Sequence, residues 1–129
     1  MNSNYMTDED FETYLKSIGG LVNGWSPDRE PIISRGFFSC GNGWLGLIKD
    51  LINDLIKAGW DKQILQIKEK FAGLRFYTNG LPEEGHKLIS EAANKSFRVC
   101  EECGKPGEIT GSSWIRTLCP EHTPEKPIL

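Results

Sequence analysis

A chain of 129 residues that is 38% hydrophobic and 26% charged has the size and composition of one ordinary globular domain, which excludes a disordered or fibrous chain. Its formal net charge of −3 disfavours nucleic-acid binding through a broad basic face, although a local basic patch could still hold one anionic ligand. The opening residues have neither a basic start nor an apolar run, and no stretch approaches the roughly 20 apolar residues of a membrane span, so a cytoplasmic protein is expected.

Thr7-Asp8-Glu9-Asp10 reads as a helix start, with the threonine placed to accept a backbone N–H and the carboxylates favoured by the helix dipole. Phe11, Leu15 and Ile18 recur at helical spacing, predicting an amphipathic helix over about 7–18 that Gly19-Gly20 stops. Residues 23–31, which include Gly24, Trp25, Pro27 and Pro31, predict a long loop, and 32–38 a short strand interrupted by Gly36. After Cys40-Gly41-Asn42-Gly43 comes the clearest helix, about 43–58, with Trp44, Leu47, Ile48, Leu51, Ile52, Leu55 and Ile56 on one face. Gly59 is placed to cap it.

From Gln63 to Thr78 the period changes to two, the mark of strands. Ala72-Gly73 reads as a two-residue turn that sets Phe71 against Leu74 and Lys70 against Arg75. One face of this hairpin is then apolar, with Glu69 as its exception, and the other carries Lys68, Lys70, Arg75 and Tyr77. Pro82-Glu83-Glu84 opens a second packing helix that reaches about residue 96 through Leu88, Ile89, Ala92 and Ala93. Residues 123–129, with two prolines, predict a mobile tail.

The last segment carries the strongest chemical signal. Cys100-Glu101-Glu102-Cys103 and Cys119-Pro120-Glu121-His122 are pairs of metal-ligand residues at one spacing, fifteen residues apart, as a zinc ribbon requires. In a reducing compartment clustered cysteines serve metal more often than disulfides. Gly104 follows the first knuckle, where a compact turn favours a residue free to take positive φ. Three thiolates and an imidazole suit one zinc ion, and four protein ligands leave no position for water, so the site reads as structural.

Taken together, CGNGWLGLI over 40–48, IKEKFAGLRFY over 67–77 and CxxCGxPG followed by WIRTLCxxH over 100–122 resemble a family of small uncharacterised proteins of bacteria, prophages and phages. The chain departs from that pattern at Asn42, where members often carry Asp, and at Ala72, where they often carry Gly. The resemblance implies a shared fold and a phage-like origin, with no activity attached.

Sharper and plainer readings compete at several residues. Cys40 precedes a helix, where the dipole can activate a thiol, but His86 is the sole histidine left to act as its base and nothing places it nearby; a small buried residue is the plainer account. Asn42 could expose N–H groups to an anion or simply cap the helix, and the cap is favoured. Lys68, Lys70, Arg75 and Tyr77, with tryptophans at 25, 44 and 60, could hold phosphate and stack a base, against the alternative of a solvated outer face. Glu69, a carboxylate on the apolar face, either pairs with Arg or Lys or carries a raised pKa, and the plainer account is a strand edge or a slightly different register.

The expectation is an α+β fold, two or three helices on a small antiparallel sheet, divided into a core domain (1–96), a docked zinc ribbon (97–122) and a tail (123–129). The ligand-binding candidates are Asn42, Trp44, Lys68, Lys70, Arg75 and Tyr77; the metal ligands are Cys100, Cys103, Cys119 and His122. The expected function is a non-enzymatic binding protein of phage type. It would capture an anionic nucleotide-like ligand or a host protein and so inhibit a host defence process. A small enzyme using Cys40 or Glu69 and a nucleic-acid-binding adaptor are the rival readings.

Overall fold

The computed structural model describes residues 4–19, 21–22, 38–78, 80–112 and 114–123. The expected loop over 23–31, nearly all of the expected strand over 32–38 and the tail beyond Thr123 lie outside these residues.

Helix α1 spans Asp8–Ile18, and its cap is the expected one: Thr7 accepts a hydrogen bond from the Asp10 N–H at 3.0 Å, and Gly19 ends the helix at φ 71°. A short 3-10 turn, Asn42–Trp44, leads into α2, Leu45–Lys57, which buries Leu45, Leu47, Ile48, Leu51, Ile52 and Leu55. Gly59, at φ 100°, closes α2 as its sequence position suggested. The Gly59 N–H donates to Ile56 O and the Trp60 N–H to Leu55 O, the paired bonds of a Schellman cap. The third helix, α3, spans Gly85–Ser96.

Six strands form two sheets among the described residues. In the larger, β3 (Gln63–Lys70) pairs antiparallel with β4 (Gly73–Thr78). The short strands β1 (Leu21–Val22) and β2 (Phe38–Ser39) join β3 in parallel, opposite Gln63-Ile64 and Ile67-Lys68 respectively, so this sheet is mixed rather than wholly antiparallel. The smaller sheet is the antiparallel pair β5 (Glu108–Thr110) and β6 (Arg116–Leu118).

The β3–β4 turn corrects the expected register. Its central residues are Phe71 and Ala72, at φ 53° and 73°, and Lys68 rather than Lys70 lies opposite Arg75. Two positive φ values define the type I′ geometry that matches strand twist, which ordinarily calls for Asn or Gly. Here side chains hold the turn instead: Glu69 Oε2 accepts from the Ala72 N–H at 2.9 Å, and the Thr117 hydroxyl donates to Ala72 O at 2.8 Å. Glu69 is therefore the turn's internal clamp. Because the register moved by two positions, Lys68, Lys70, Arg75 and Tyr77 keep the shared face expected of them, but Phe71, expected opposite Leu74 on the apolar face, lies in the turn and is exposed.

Ile64, Ile67, Leu74 and Phe76 face inward, and an irregularity between Ile64 and Gln66 lets Ile64 and Ile67 share that face although they stand three apart. Phe11 and Leu15 of α1, the buried face of α2 and Ala92 of α3 complete one core with them. The helices thus cover one face of the larger sheet. Ser96 ties α3 to the sheet, its hydroxyl accepting from the Leu74 N–H at 2.9 Å and donating to Ala93 O at 2.6 Å. Among the described residues, no helix is long and apolar enough to cross a membrane.

Candidate metal centre and binding face

Two backbone knuckles bring the four predicted ligands together. In the first, the Cys100 N–H donates to Lys105 O at 2.8 Å and the Gly104 N–H returns to Cys100 O at 2.9 Å, with Gly104 at φ 83° as its position after the cysteine pair suggested. In the second, directly after β6, the N–H groups of His122 and Thr123 both donate to Cys119 O. The Sγ atoms of Cys103 and Cys119 lie 3.6 Å apart, His122 Nδ1 lies 3.2 Å from Cys119 Sγ and 3.7 Å from Cys100 Sγ, and all four ligand atoms fall within 4.8 Å of one another. A tetrahedral ion with bonds of about 2.3 Å to sulfur and about 2.1 Å to nitrogen needs ligand separations of about 3.5–3.8 Å, so the cluster fits one metal ion through Nδ1 of the histidine.

Burial and mutual hydrogen bonds set the acidity of the cluster's sulfurs. Burial raises the Cys119 thiol, but hydrogen bonds from His122, Cys103 and Cys100 outweigh it and bring it down to about 6. Cys103 is pushed up to about 11, by burial first and then by neighbouring sulfurs, against the opposing Lys105 N–H. One sulfur readily carries charge and the next resists it, a repulsion that a divalent ion removes.

Sequence reasoning missed Glu101, between the two cysteines of the first knuckle. Its side chain is 6% exposed, and it accepts from the Gly41 N–H at 2.8 Å and from Arg116, which also reaches Glu102 at 2.8 Å. Burial raises its carboxyl above the ordinary carboxylate range, while the Gly41 N–H and the Arg116 charge pull the other way. The Glu101 carbonyl accepts from the Gly43 N–H at 2.7 Å, and the Trp44 indole N–H donates to Val99 O at 2.7 Å. A Cβ on Gly43 would stand 2.2 Å from Cys100 O, and one on Gly41 2.4 Å from Glu101 O. Both glycines are there because the metal knuckle lies against them.

This contact decides the chemistry of the Gly-rich turn. The Gly41 N–H is spent on the Glu101 carboxyl group and the Gly43 N–H on the Glu101 carbonyl, both acceptors supplied by the chain itself. Asn42 is not the side-chain cap that was expected: residue 41 occupies the cap position, and the Asn42 amide donates to Met6 O at 2.9 Å and Asp8 Oδ1 at 2.8 Å. Cys40 packs on the core, where burial, followed by the negative charges of Glu101, Glu69 and Asp8, raises its thiol far above the ordinary value. That is the opposite of what a nucleophile requires.

The remaining ligand-binding candidates separate into two groups. Trp44 is wholly buried, and Trp60 lies in the core against Phe76 at a ring separation of 5.9 Å; Trp25 falls outside the described residues. Lys68, Lys70, Arg75 and Tyr77 lie together on the face of β3–β4 away from the core. Lys68 Nζ stands 5.8 Å from the Tyr77 ring centroid and Lys70 Nζ 5.7 Å from that of Phe71. Tyr77 is 42% and Phe71 68% exposed, so the aromatic partners of these cations are Tyr77 and Phe71 rather than the tryptophans. Two further apolar residues, Ile109 and Trp114 of the β5–β6 hairpin, are also exposed.

Comparison of the chain with protein-family models, with curated proteins and with solved structures gives no match.

Proposed function

We propose that this protein is a non-enzymatic binding protein whose Cys100, Cys103, Cys119 and His122 hold one structural zinc ion, and whose outer β3–β4 face captures an anionic, nucleotide-like ligand. The observation that carries this reading is the pairing of each exposed ring with its own lysine, Lys68 with Tyr77 and Lys70 with Phe71, beside Arg75. Cations of this kind hold phosphate, and an exposed ring offers a stacking surface to a base. Four protein ligands satisfy a tetrahedral ion, which supports a structural role for the metal. The raised thiol of Cys40 and the engagement of Glu69 in its turn count against the enzyme reading. Inhibition of a host process by a phage-type protein is the biological setting we propose, from the sequence resemblance.

The test combines metal analysis with ligand screening. Mass spectrometry of the purified protein should give one zinc per chain. A panel of nucleotides should raise the melting temperature, and Lys70→Ala and Arg75→Ala should each reduce that shift. If no nucleotide moves the melting temperature, the small-ligand reading fails, and a host protein recovered by co-purification on the same face would replace it.

A further inference from the structure

Resting on the proposed nucleotide-binding face, we infer that the ligand of this face is a single-stranded nucleic acid several nucleotides long, rather than a mononucleotide. The face carries two stacking stations, not one. Tyr77 with Lys68 marks one end of the β3–β4 hairpin and Phe71 with Lys70 the other, with Arg75 between them. Gly73, which follows the turn that holds Phe71, and Tyr77 are four residue steps apart along β4, a backbone span of about 13 Å between the two stations. One base covers one ring. Filling both stations therefore takes two bases joined by a backbone, and at a rise of about 3.4 Å per stacked nucleotide or up to twice that when stretched, the joining strand is roughly three to five nucleotides long.

A second, independent observation concerns Phe71. It occupies a turn position at φ 53°, where Asn or Gly is ordinarily preferred, and its ring is 68% exposed. Neither backbone preference nor core packing accounts for a phenylalanine there. A stacking partner does. The acidic chain as a whole does not attract polyanions, so the attraction is confined to Lys68, Lys70 and Arg75, about three phosphate contacts.

Fluorescence anisotropy on the zinc-loaded full-length protein tests this, using labelled thymidine oligonucleotides of one, three, six and ten residues, with a polyglutamate peptide as an acidic control. Affinity should rise steeply from one nucleotide to about six and then level off. The logarithm of affinity for the hexamer should fall against the logarithm of salt concentration with a slope of about −2, the value for about three cations on a single strand. Phe71→Ala and Tyr77→Ala should each weaken hexamer binding by between about fivefold and about a hundredfold. If the single nucleotide binds as tightly as the hexamer, the strand inference is overturned while the nucleotide-binding reading stands. Equal binding of polyglutamate would overturn a nucleic-acid ligand, and absence of binding at every length would remove the strand inference and the reading beneath it together.

Discussion

Glu101 shows how one side chain can decide whether a site is open or closed. Its two carboxylate oxygens and its carbonyl satisfy the Gly41 N–H, the Arg116 guanidinium and the Gly43 N–H, so the Gly-rich turn, where an anion site is the less favoured reading of the sequence, has both glycine N–H groups engaged within the chain. Glu101→Ala leaves the part-buried Gly41 N–H without its acceptor and Arg116 with Glu102 alone, a loss of about 1–3 kcal/mol in urea denaturation. Glu101→Gln keeps an acceptor for Gly41 and should lose clearly less; equal losses would mean that the Gly41 hydrogen bond contributes nothing. Phe71 behaves in the opposite way. Relieving its left-handed backbone with Phe71→Asn should stabilise the protein by about 0.5–1 kcal/mol in the same experiment, while weakening ligand capture. A fall in stability instead would show that the exposed ring is held by packing.

At the scale of elements, legibility tracked the range of the forces involved. The caps of α1 and α2 were readable because Thr7 and Gly59 act on neighbours within a few residues. The clustering of Cys100, Cys103, Cys119 and His122 was readable for the same reason, since each knuckle is a short spacing. The β3–β4 register was not, because Gly73 advertised a turn one residue too late, and the true turn depends on Thr117, 45 residues away in sequence from Ala72. Glu101 was overlooked for a similar reason, its partner Gly41 lying 60 residues away. Docking of α1 on α2 is equally long-range: Tyr14 donates to Asn53 Oδ1 at 2.5 Å. Burial first, and then the charge of Asp50, raise the Tyr14 phenol from 10.0 to about 12. Folding therefore disfavours the phenolate, so this contribution to stability is complete below about pH 10 and is lost as pH rises towards about 12. Absorbance at the phenolate band should show one tyrosine ionising near pH 12, a step that Tyr14→Phe removes. If the step persists in Tyr14→Phe, the assignment is wrong.

For the molecule as a whole, the issue is whether residues 97–122 form a ribbon docked on an independent core or part of one cooperative unit. The contacts argue for one unit. The knuckle accepts backbone hydrogen bonds from Gly43 and the indole of the fully buried Trp44, while the Asn4 N–H donates to Gly104 O and the Gly46 N–H, within α2, donates to Asn4 O. A Cβ on Gly104 would meet Asn4 N at 2.5 Å, so the amino-terminal arm is as tightly set against the knuckle as the Gly-rich turn is. Structural zinc binding in comparable small sites is worth about 10 kcal/mol or more, comparable with the whole stability of a domain this size. Removing the metal with a chelator should therefore loosen more than the ribbon. Tryptophan fluorescence of a Trp114→Phe background, in which the buried Trp44 and Trp60 report on the core, and the visible absorbance of a cobalt-substituted cluster should change in a single coincident transition on heating, and that transition should fall steeply in temperature when the metal is withdrawn. Two separated transitions, with the core signal unmoved by the chelator, would instead show that 1–96 folds without its clamp. Gly43→Ala offers the same test without a chelator, because its methyl group cannot fit beside Cys100 O: in a single cooperative unit this change in the core's Gly-rich turn lowers zinc retention as well as stability.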